Sequence, residues 1–322
     1  MKLVKDIQET KISDKNLVLT IGSFDGVHLG HVEILKEVVS LANSHKGTPC
    51  VMVLRPHPRT YFSPDAPLNI LTCEEKQQSL FKEIGVKITA ILPFNQETAN
   101  LSPEQFITKI LLNFEGLRFI LVGHDFRFGK GAKGDFKLLK DFGKKYKFEV
   151  KQFPPLIIQG ERVSSSLIRE LVLEGEMEKV VQFLGRRYSI LGRVIPGRGI
   201  GKQLGFPTAN ILPFHNAIPP HGVYSAECIL EDGRVLPTAV NIGIAPTIRQ
   251  QDFAIEAHIL DFDEQILGQN VELIFHKHLR PEKKFSSREE LIHAIGEDIN
   301  TIKQYFDEYY KNVVNKTITC IK

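Results

Sequence analysis

At 322 residues the chain is long enough for two domains, and its 42% hydrophobic share supports real cores. Lys+Arg at 41 against Asp+Glu at 38 leave a net charge of +3, which gives no argument for a polyanionic partner. The opening MKLVKDIQETKISDKN lacks the apolar segment of a signal peptide, no run reaches the ~18 apolar residues of a membrane span, and Cys50, Cys73, Cys228 and Cys320 are far apart without a CxxC, so a cytoplasmic protein without disulfides or a cysteine zinc site is expected.

From residue 17 to about 185, apolar runs alternate with helical patterns. LVLTIGSF reads as a strand, and Leu35, Val38, Val39 and Ala42 mark one face of the helix that follows. PCVMVL is a second strand. TCEEKQQSLFKEIG has a capping-box spacing from Thr72 to Glu75 and a stop at Gly85. VKITAILPF is a third strand. Ser102, Pro103 and Gln105 open another helix, expected to end near Gly116. RFILVGHDF is a fourth strand, DFKLLKDFGKKY a helix, and SSSLIRELVLEGEMEKVVQFLG one or two more. This alternation predicts a Rossmann-like α/β domain, a parallel sheet with helices on both faces and its ligand beyond the C-terminal strand ends.

After FLGRRYSILGRV the helices give way to GVYSAECIL, RVLPTAVNIG, FAIEAHILDF and NVELIFHKHL, with a hairpin signal at Asp232-Gly233. These predict a small antiparallel β-barrel, with domains dividing as 1–185 and 186–322. A terminal helix capped from Ser286 to Glu289 carries an apolar stripe, Ile292, Ile295, Ile299, Ile302 and Phe306, expected to pack on the barrel.

GSFDGVHLGH, residues 22–31, lies where the first strand hands over to the first helix. His28 and His31 share a helix face, but zinc wants three or four ligands and only His57 is a further candidate nearby. Gly22, Gly26 and Gly30 allow close approach of a ligand to the backbone, and a helix N-terminus attracts anions. Phosphate binding is the expectation, and the HxGH pattern resembles the signature of the HIGH-type nucleotidyltransferases.

In RVSSSLIREL one serine suffices as a helix cap; three, flanked by Arg162 and Arg169, suggest a second phosphate contact. GKGAKG, residues 129–134, imitates a dinucleotide fingerprint, but its strand has already ended and no suitable acidic residue follows. The basic stretch 127–151 around it reads as a solvated helix face, with nucleic-acid binding a poor second. GRGIGKQLGFPTAN, residues 197–210, is not a Walker loop, yet its glycines with Arg198 and Lys202 suit phosphates, and Thr208 and Asn210 offer neutral oxygens to a magnesium ion. In IEAHIL, Glu256 and His258 share a strand face. A carboxylate inside a small barrel is costly unless paired or used, which leaves an ion pair or a general base.

Together and in this order these motifs resemble the bacterial bifunctional riboflavin kinase/FAD synthetase family over nearly the whole chain. The first domain matches at GSFDGVHLGH, RPHP, LSPEQFI, GHDFRFG and RVSSSLIR, the second at LGFPTAN, GVYSA, NIG with APT, EAHILDF and LRPEKKF. The resemblance implies that the C-terminal domain phosphorylates riboflavin with Mg-ATP, and that the N-terminal domain transfers AMP from ATP to FMN, giving FAD and pyrophosphate. It implies that His28 and His31 hold ATP phosphates and stabilise charge at the α-phosphate, within a nucleotide site that includes Gly22, Ser23, Phe24, Asp25, Gly26 and Gly30. Asp125 and Arg162 would hold the reacting groups, and Ser164, Ser165 and Ser166 would contact phosphates. In the kinase domain Gly199, Lys202 and Gly205 would cradle ATP, Thr208 and Asn210 would take Mg2+, and Glu256 would accept the proton of the riboflavin 5′-hydroxyl.

The chain departs from the family at Arg55, where an acidic residue is usual before PHP, and at Ser166, where Thr is commoner. The competing expectation is a single-activity adenylyltransferase for another small phosphorylated acceptor; LGFPTAN with EAHIL argues against it. Neither nucleic acid nor membrane is an expected partner, and the oligomeric state is open.

Overall fold

The computed structural model describes residues 1–65, 68–244 and 253–319; Ala245-Pro246-Thr247 of the family resemblance and Cys320 lie outside them. The chain divides into two compact units, Met1–Leu167 and Ile168–Lys322.

The first unit is built on six parallel strands: β1 (Lys2–Val4), β2 (Ile12–Gly22), β3 (Pro49–Arg55), β4 (Ile88–Pro93), β5 (Phe114–Gly123) and β6 (Glu149–Phe153), in the order β1-β4-β3-β2-β5-β6. Helix α1 (Leu29–Ser44) follows β2, α2 (Pro58–Phe62) and α3 (Glu74–Ile84) follow β3, α4 (Gln96–Ala99) and α5 (Pro103–Lys109) follow β4, and α6 (Phe136–Tyr146) follows β5. A hairpin, β7 (Ile157–Ile158) and β8 (Glu161–Arg162), leads to α7 (Ser165–Leu173), within which the division between the units falls; α8 (Met177–Leu184), after the left-handed Gly175, belongs to the second unit.

The apolar run of β2 is continuous because both faces are covered. Leu17, Leu19 and Ile21 join a core with Phe106, Ile107 and Leu139, while Val18 joins another with Ile34, Leu35, Val38 and Phe81. The strand order reverses at β2, with β3 and β4 to one side and β5 and β6 to the other. Loops at the C-terminal ends of β2 and β5 therefore flank the switch point, where such sheets bind ligands.

β1 and β6 add to the four strands read from the sequence; each is short, and β6 is largely exposed, so neither carries an apolar run. Two helix boundaries differ from expectation. α3 starts at Glu74 behind Cys73 rather than from a Thr72 cap, because the Thr72 N–H is committed to Asp25 Oδ1 at 3.2 Å. α5 stops at Lys109, not near Gly116; Gly116 lies inside β5 with φ +85°, where a Cβ would strike the Asp14 carbonyl. The Ser102–Gln105 capping box forms with both reciprocal bonds.

The second unit holds a closed antiparallel barrel of β9 (Ser189–Ile195), β10 (Ala209–Pro213), β11 (Gly222–Ile229), β12 (Val235–Ile244), β13 (Phe253–Ile259) and β14 (Asn270–Pro281), in the order β10-β13-β12-β11-β14-β9. A one-turn helix, α9 (Ile200–Gln203), sits between β9 and β10, and α10 (Arg288–Thr319) ends the described chain. Its cap falls one residue later than expected, with Ser287 Oγ accepting from the Glu290 N–H. Ile302 and Phe306 of α10 are buried against the barrel's outer face with Ala239 and Leu279. No helix among the described residues is long and apolar enough to cross a membrane.

Candidate active sites

In the first unit the loop between β2 and α1 is held in a strained shape. Phe24 and Val27 both take positive φ, at +50° and +41°, beside Gly26 at +83°. Burial of the Phe24 and Val27 side chains holds them there. The Asp25 carboxylate is buried and accepts from the Leu71 and Thr72 N–H groups at 2.9 and 3.2 Å, which ties the loop to the segment before α3.

His28 caps α1: its Nδ1 accepts from the His31 N–H at 3.3 Å, which leaves the proton of the neutral ring on Nε2. The two imidazoles stack with centroids 3.6 Å apart, and Phe24 meets His31 edge-on at 5.0 Å. A Cβ at residue 30 would lie 3.3 Å from the His28 ring, so glycine there keeps the stack in place.

The second serine motif reaches the same loop. Ser165 Oγ donates to the Asp25 carbonyl at 2.8 Å, Ser164 Oγ accepts from the Leu167 N–H, and Ser166 is exposed. After β5, Arg162 pairs with Asp125 at 2.6 Å. Partial burial raises the Asp125 carboxyl, but the hydrogen bond and charge of Arg162 outweigh it and hold the group below its ordinary value.

The same unit holds a cleft of about 320 Å³ lined by Phe62, Phe94, Phe106, Phe126, Arg127 and Phe128; Ile21 and Phe126 of its lining directly adjoin Gly22 and Asp125 in the chain. Gly129 and Gly131 of GKGAKG also line it, so that segment is a wall of the cleft rather than a strand-to-helix phosphate turn. Phe126 and Phe128 belong to GHDFRFG, where aromatics alternating with polar residues were the available signal.

In the second unit Asn210, Glu256 and Asn241 stand side by side on three neighbouring strands, Asn210 paired with Glu256 and Glu256 with Asn241. Glu256 is not inside the barrel, contrary to the expectation. Ile255, Ala257 and Ile259 alternate with it and are buried, whereas Glu256 and His258 share the face of Ala239, which packs on α10. Glu256 thus escapes the cost of the barrel interior by looking into a groove.

That groove, about 310 Å³, is lined by Glu256, His258, Asn241, Arg280 and Phe285, with Ile295 and Ile299 of the α10 stripe as its far wall. Arg280 is held by a bidentate pair with Asp298, the closest approach being 2.6 Å. A second cleft of about 470 Å³ is lined by Gly197, Gly199, Lys202, Thr208 and Asn210. Thr208 lines both.

The glycines of GRGIGKQLGF have separate jobs. A Cβ at Gly197 would overlap the Asn210 amide nitrogen at 1.9 Å, and one at Gly201 would strike the Phe206 carbonyl at 2.4 Å. Gly199 and Gly205 take left-handed φ on either side of α9. His258 Nδ1 lies 2.7 Å from the Pro207 carbonyl, tying the strand that bears Glu256 to the residue before Thr208. Asn241, in the NIG segment of the resemblance, carried no assigned role in the sequence reading; strand register brings it to Glu256.

The FAD synthetase family model matches residues 10–167, and the riboflavin kinase family model matches residues 184–306. A bifunctional riboflavin kinase/FMN adenylyltransferase of Buchnera aphidicola is 34% identical over 310 residues, covering 95% of this chain and 99% of the relative. The chain belongs to the bifunctional riboflavin kinase/FMN adenylyltransferase family. Family members with the same description in Escherichia coli K12 and Haemophilus influenzae are 34% and 32% identical, each over 95% of this chain and over 98% and 100% of their own lengths.

Among solved structures, one titled as a macrolide-efflux protein from Streptococcus pneumoniae superposes with a TM-score of 0.84 at 23% identity, covering 94% of this chain and 99% of that one. At that identity the likeness shows the fold alone, and the family assignment rests on the sequence relatives.

Proposed function

We infer that this chain makes FMN from riboflavin and then FAD from FMN, using ATP in both steps, with residues 1–185 carrying the second reaction and 186–322 the first. The observation that carries the reading is that each unit pairs a phosphate-suited loop with a cleft of apolar and aromatic wall. In the second unit the two clefts share Thr208, which supports a phosphate donor in one and a hydroxyl acceptor in the other.

For phosphorylation, ATP would lie along Gly199, Lys202 and Thr208, and riboflavin in the groove against α10. Glu256 accepts the proton of the 5′-hydroxyl as its oxygen attacks the γ-phosphorus, and the bond to ADP breaks. The residues fit a magnesium ion bound mainly by phosphates. Thr208 and Asn210 offer neutral oxygens, and Gly197 leaves the space the Asn210 amide fills. Thr208 and Asn210 would hold Mg2+, which supplies charge neutralisation to the phosphates.

For adenylyl transfer, the aromatic cleft takes the flavin ring of FMN, whose flat face suits Phe walls. An FMN phosphate oxygen attacks the α-phosphorus of ATP and pyrophosphate leaves. The nucleophile is already an anion, so no general base is needed, which accords with a site built from donors. His28, His31, Arg162 and the α1 N-terminus stabilise the charge, with Asp125 orienting Arg162. Ser164, Ser165 and Ser166, with the Gly22–Gly26 segment and Gly30, shape the phosphate site. The lack of a nucleophile motif in the sequence accords with chemistry that runs on positioning.

These substrates are those of a cytoplasmic enzyme. Incubation with riboflavin and MgATP, followed by separation of flavins, tests the reading. FMN and FAD are the expected products; neither appearing overturns it, and FAD from supplied FMN without phosphorylation of riboflavin favours the single-activity alternative.

A further inference from the structure

Arg55 stands at the end of β3, where the family resemblance leads to the expectation of an acidic residue. Gln77 on α3 is only 2% exposed. Its Nε2 donates to the Ser23 and Phe24 carbonyls, each at 3.0 Å, and its Oε1 accepts from an Arg55 guanidinium N–H at 2.5 Å. Arg55 Nε lies 3.9 Å from the Glu74 carboxylate, and the Arg55 side chain is 29% exposed.

A primary amide has two N–H donors, and here both go to adjacent carbonyls of the strained histidine loop. A flipped amide would set Oε1 against both carbonyl oxygens, taking the Gln77 donor from the Ser23 carbonyl and leaving the Phe24 carbonyl only the Val27 N–H at 3.1 Å. Arg55, a donor that cannot accept, holds Oε1 on its own side and forbids the flip. Phe24, the second residue so held, carries positive φ and presents its ring edge-on to His31 at 5.0 Å and to Phe81 at 5.7 Å. The chain of contacts runs from Arg55 through Gln77 and Phe24 to His31.

We propose that Arg55 and Gln77 are positioning residues for adenylyl transfer, with Arg55 orienting the Gln77 amide so that it holds the histidine loop in its working shape. This rests on the assignment of that transfer to the histidine loop. An acidic residue at 55 would attract the Nε2 side of the amide and draw it off the loop, so Arg55 and Gln77 work as a matched pair.

The full-length chain is assayed for FAD formation across FMN concentrations at saturating ATP, and for riboflavin phosphorylation, in Gln77→Leu, Arg55→Met, Arg55→Lys, Arg55→Glu and the Arg55→Met/Gln77→Leu double variant. Gln77→Leu lowers kcat for FAD formation at least about tenfold, with KM for FMN and the phosphorylation rate within about twofold of wild type. Arg55→Glu falls as far as Gln77→Leu, and Arg55→Lys keeps more activity than Arg55→Met. Because the residues act in series, the double variant is no worse than Gln77→Leu alone.

FAD formation by Gln77→Leu within about twofold of wild type, or losses that multiply in the double variant, overturns the proposal. Should Gln77→Leu abolish the thermal transition of the first unit, the Arg55 series decides, since that side chain is partly exposed; equal activity of Arg55→Lys, Arg55→Met and Arg55→Glu then refutes it. His28→Ala separates the two levels. FAD formation at the wild-type rate in His28→Ala overturns the assignment of the site, whereas an inactive His28→Ala beside a fully active Gln77→Leu overturns the positioning role alone.

Discussion

Replacing Gly197 by alanine isolates the position of a single side chain, Asn210. Gly197 is not in the left-handed region, so alanine suits its backbone and the effect is steric. The new Cβ would lie 1.9 Å from Asn210 Nδ2 and 2.6 Å from its Cγ, where ordinary contact begins at 3.4 Å. The amide must therefore retreat by about 1.5 Å, in a site where ~1 Å of misplacement can cost ~10²-fold in rate. Gly197 is exposed and the group that must move is the end of a flexible side chain, so the cost to stability falls below the ~1–3 kcal/mol of overpacking in a buried core. We expect Gly197→Ala to lower kcat/KM for ATP in riboflavin phosphorylation by about 10²-fold, with FMN adenylylation and the thermal transition of the second unit close to wild type. Adding Asn210→Ala removes the clash and does not restore activity. The reasoning is refuted if Gly197→Ala phosphorylates riboflavin within about threefold of wild type, because Asn210 then has no role that depends on its place.

On the proposed assignment His28→Ala removes a donor to developing phosphate charge, and FAD formation should fall by about 10²–10³-fold while FMN accumulates from riboflavin, as read by separating the flavins. Glu256→Gln keeps the shape of the side chain without its basicity; riboflavin phosphorylation should fall by about 10²–10⁴-fold and supplied FMN should still become FAD. Equal loss of both steps in either folded variant would reject the division of chemistry between the units. Stability of the second unit should fall as pH drops below about 6.5. Burial holds His276 below its ordinary value of 6.5 and pushes His215 down to about 4, so the unfolded chain takes up protons there that the folded unit does not. Burial raises the Glu227 carboxyl, but hydrogen bonds from His276 at 2.8 Å and Tyr310 at 2.8 Å bring it below its ordinary 4.5, which extends the same fall toward acid. Calorimetry at pH 7.5 and 5 should show the loss, and His276→Gln, which keeps a donor to Glu227 without titrating, should flatten part of it; an unchanged slope in that variant would count against the argument.

What was legible in the sequence was what the chain settles over short spans. The strand–loop–helix around His28, the Ser102–Gln105 capping box and the Asp232-Gly233 turn need only neighbours within a few residues, and the structure forms all three. Thr72 marks where this fails: its spacing to Glu75 is a valid capping box, but a carboxylate 47 residues away captures its N–H first. Glu256 fails in the same way. Alternation placed it correctly on one face with His258, but which face of a closed barrel meets solvent, core or a covering helix depends on where α10 lies. Asn241 lies in the NIG motif, but nothing local ties it to Glu256, and Gln77 carries no local signal at all. Asn241 reaches Glu256 through strand register, and Gln77 sits at a helix position where period alone predicts an ordinary polar residue.

The residues assigned to the chemistry and those proposed to hold them in place therefore differ in how they can be found. His28 and Thr208 sit in loop motifs, and a loop is contiguous in sequence. Gln77 and Arg55 act on the histidine loop from α3 and from the end of β3, 54 and 22 residues apart from their respective partners, and the only constraint on them is that donors face acceptors. Such a pair can change by compensating substitutions without touching the motif it supports. The unusual Arg55 is then not a lesion in the site. Its partner Gln77 is the evidence: a buried amide with its two donors on the loop and its acceptor on the guanidinium has its orientation set only if residue 55 is a donor.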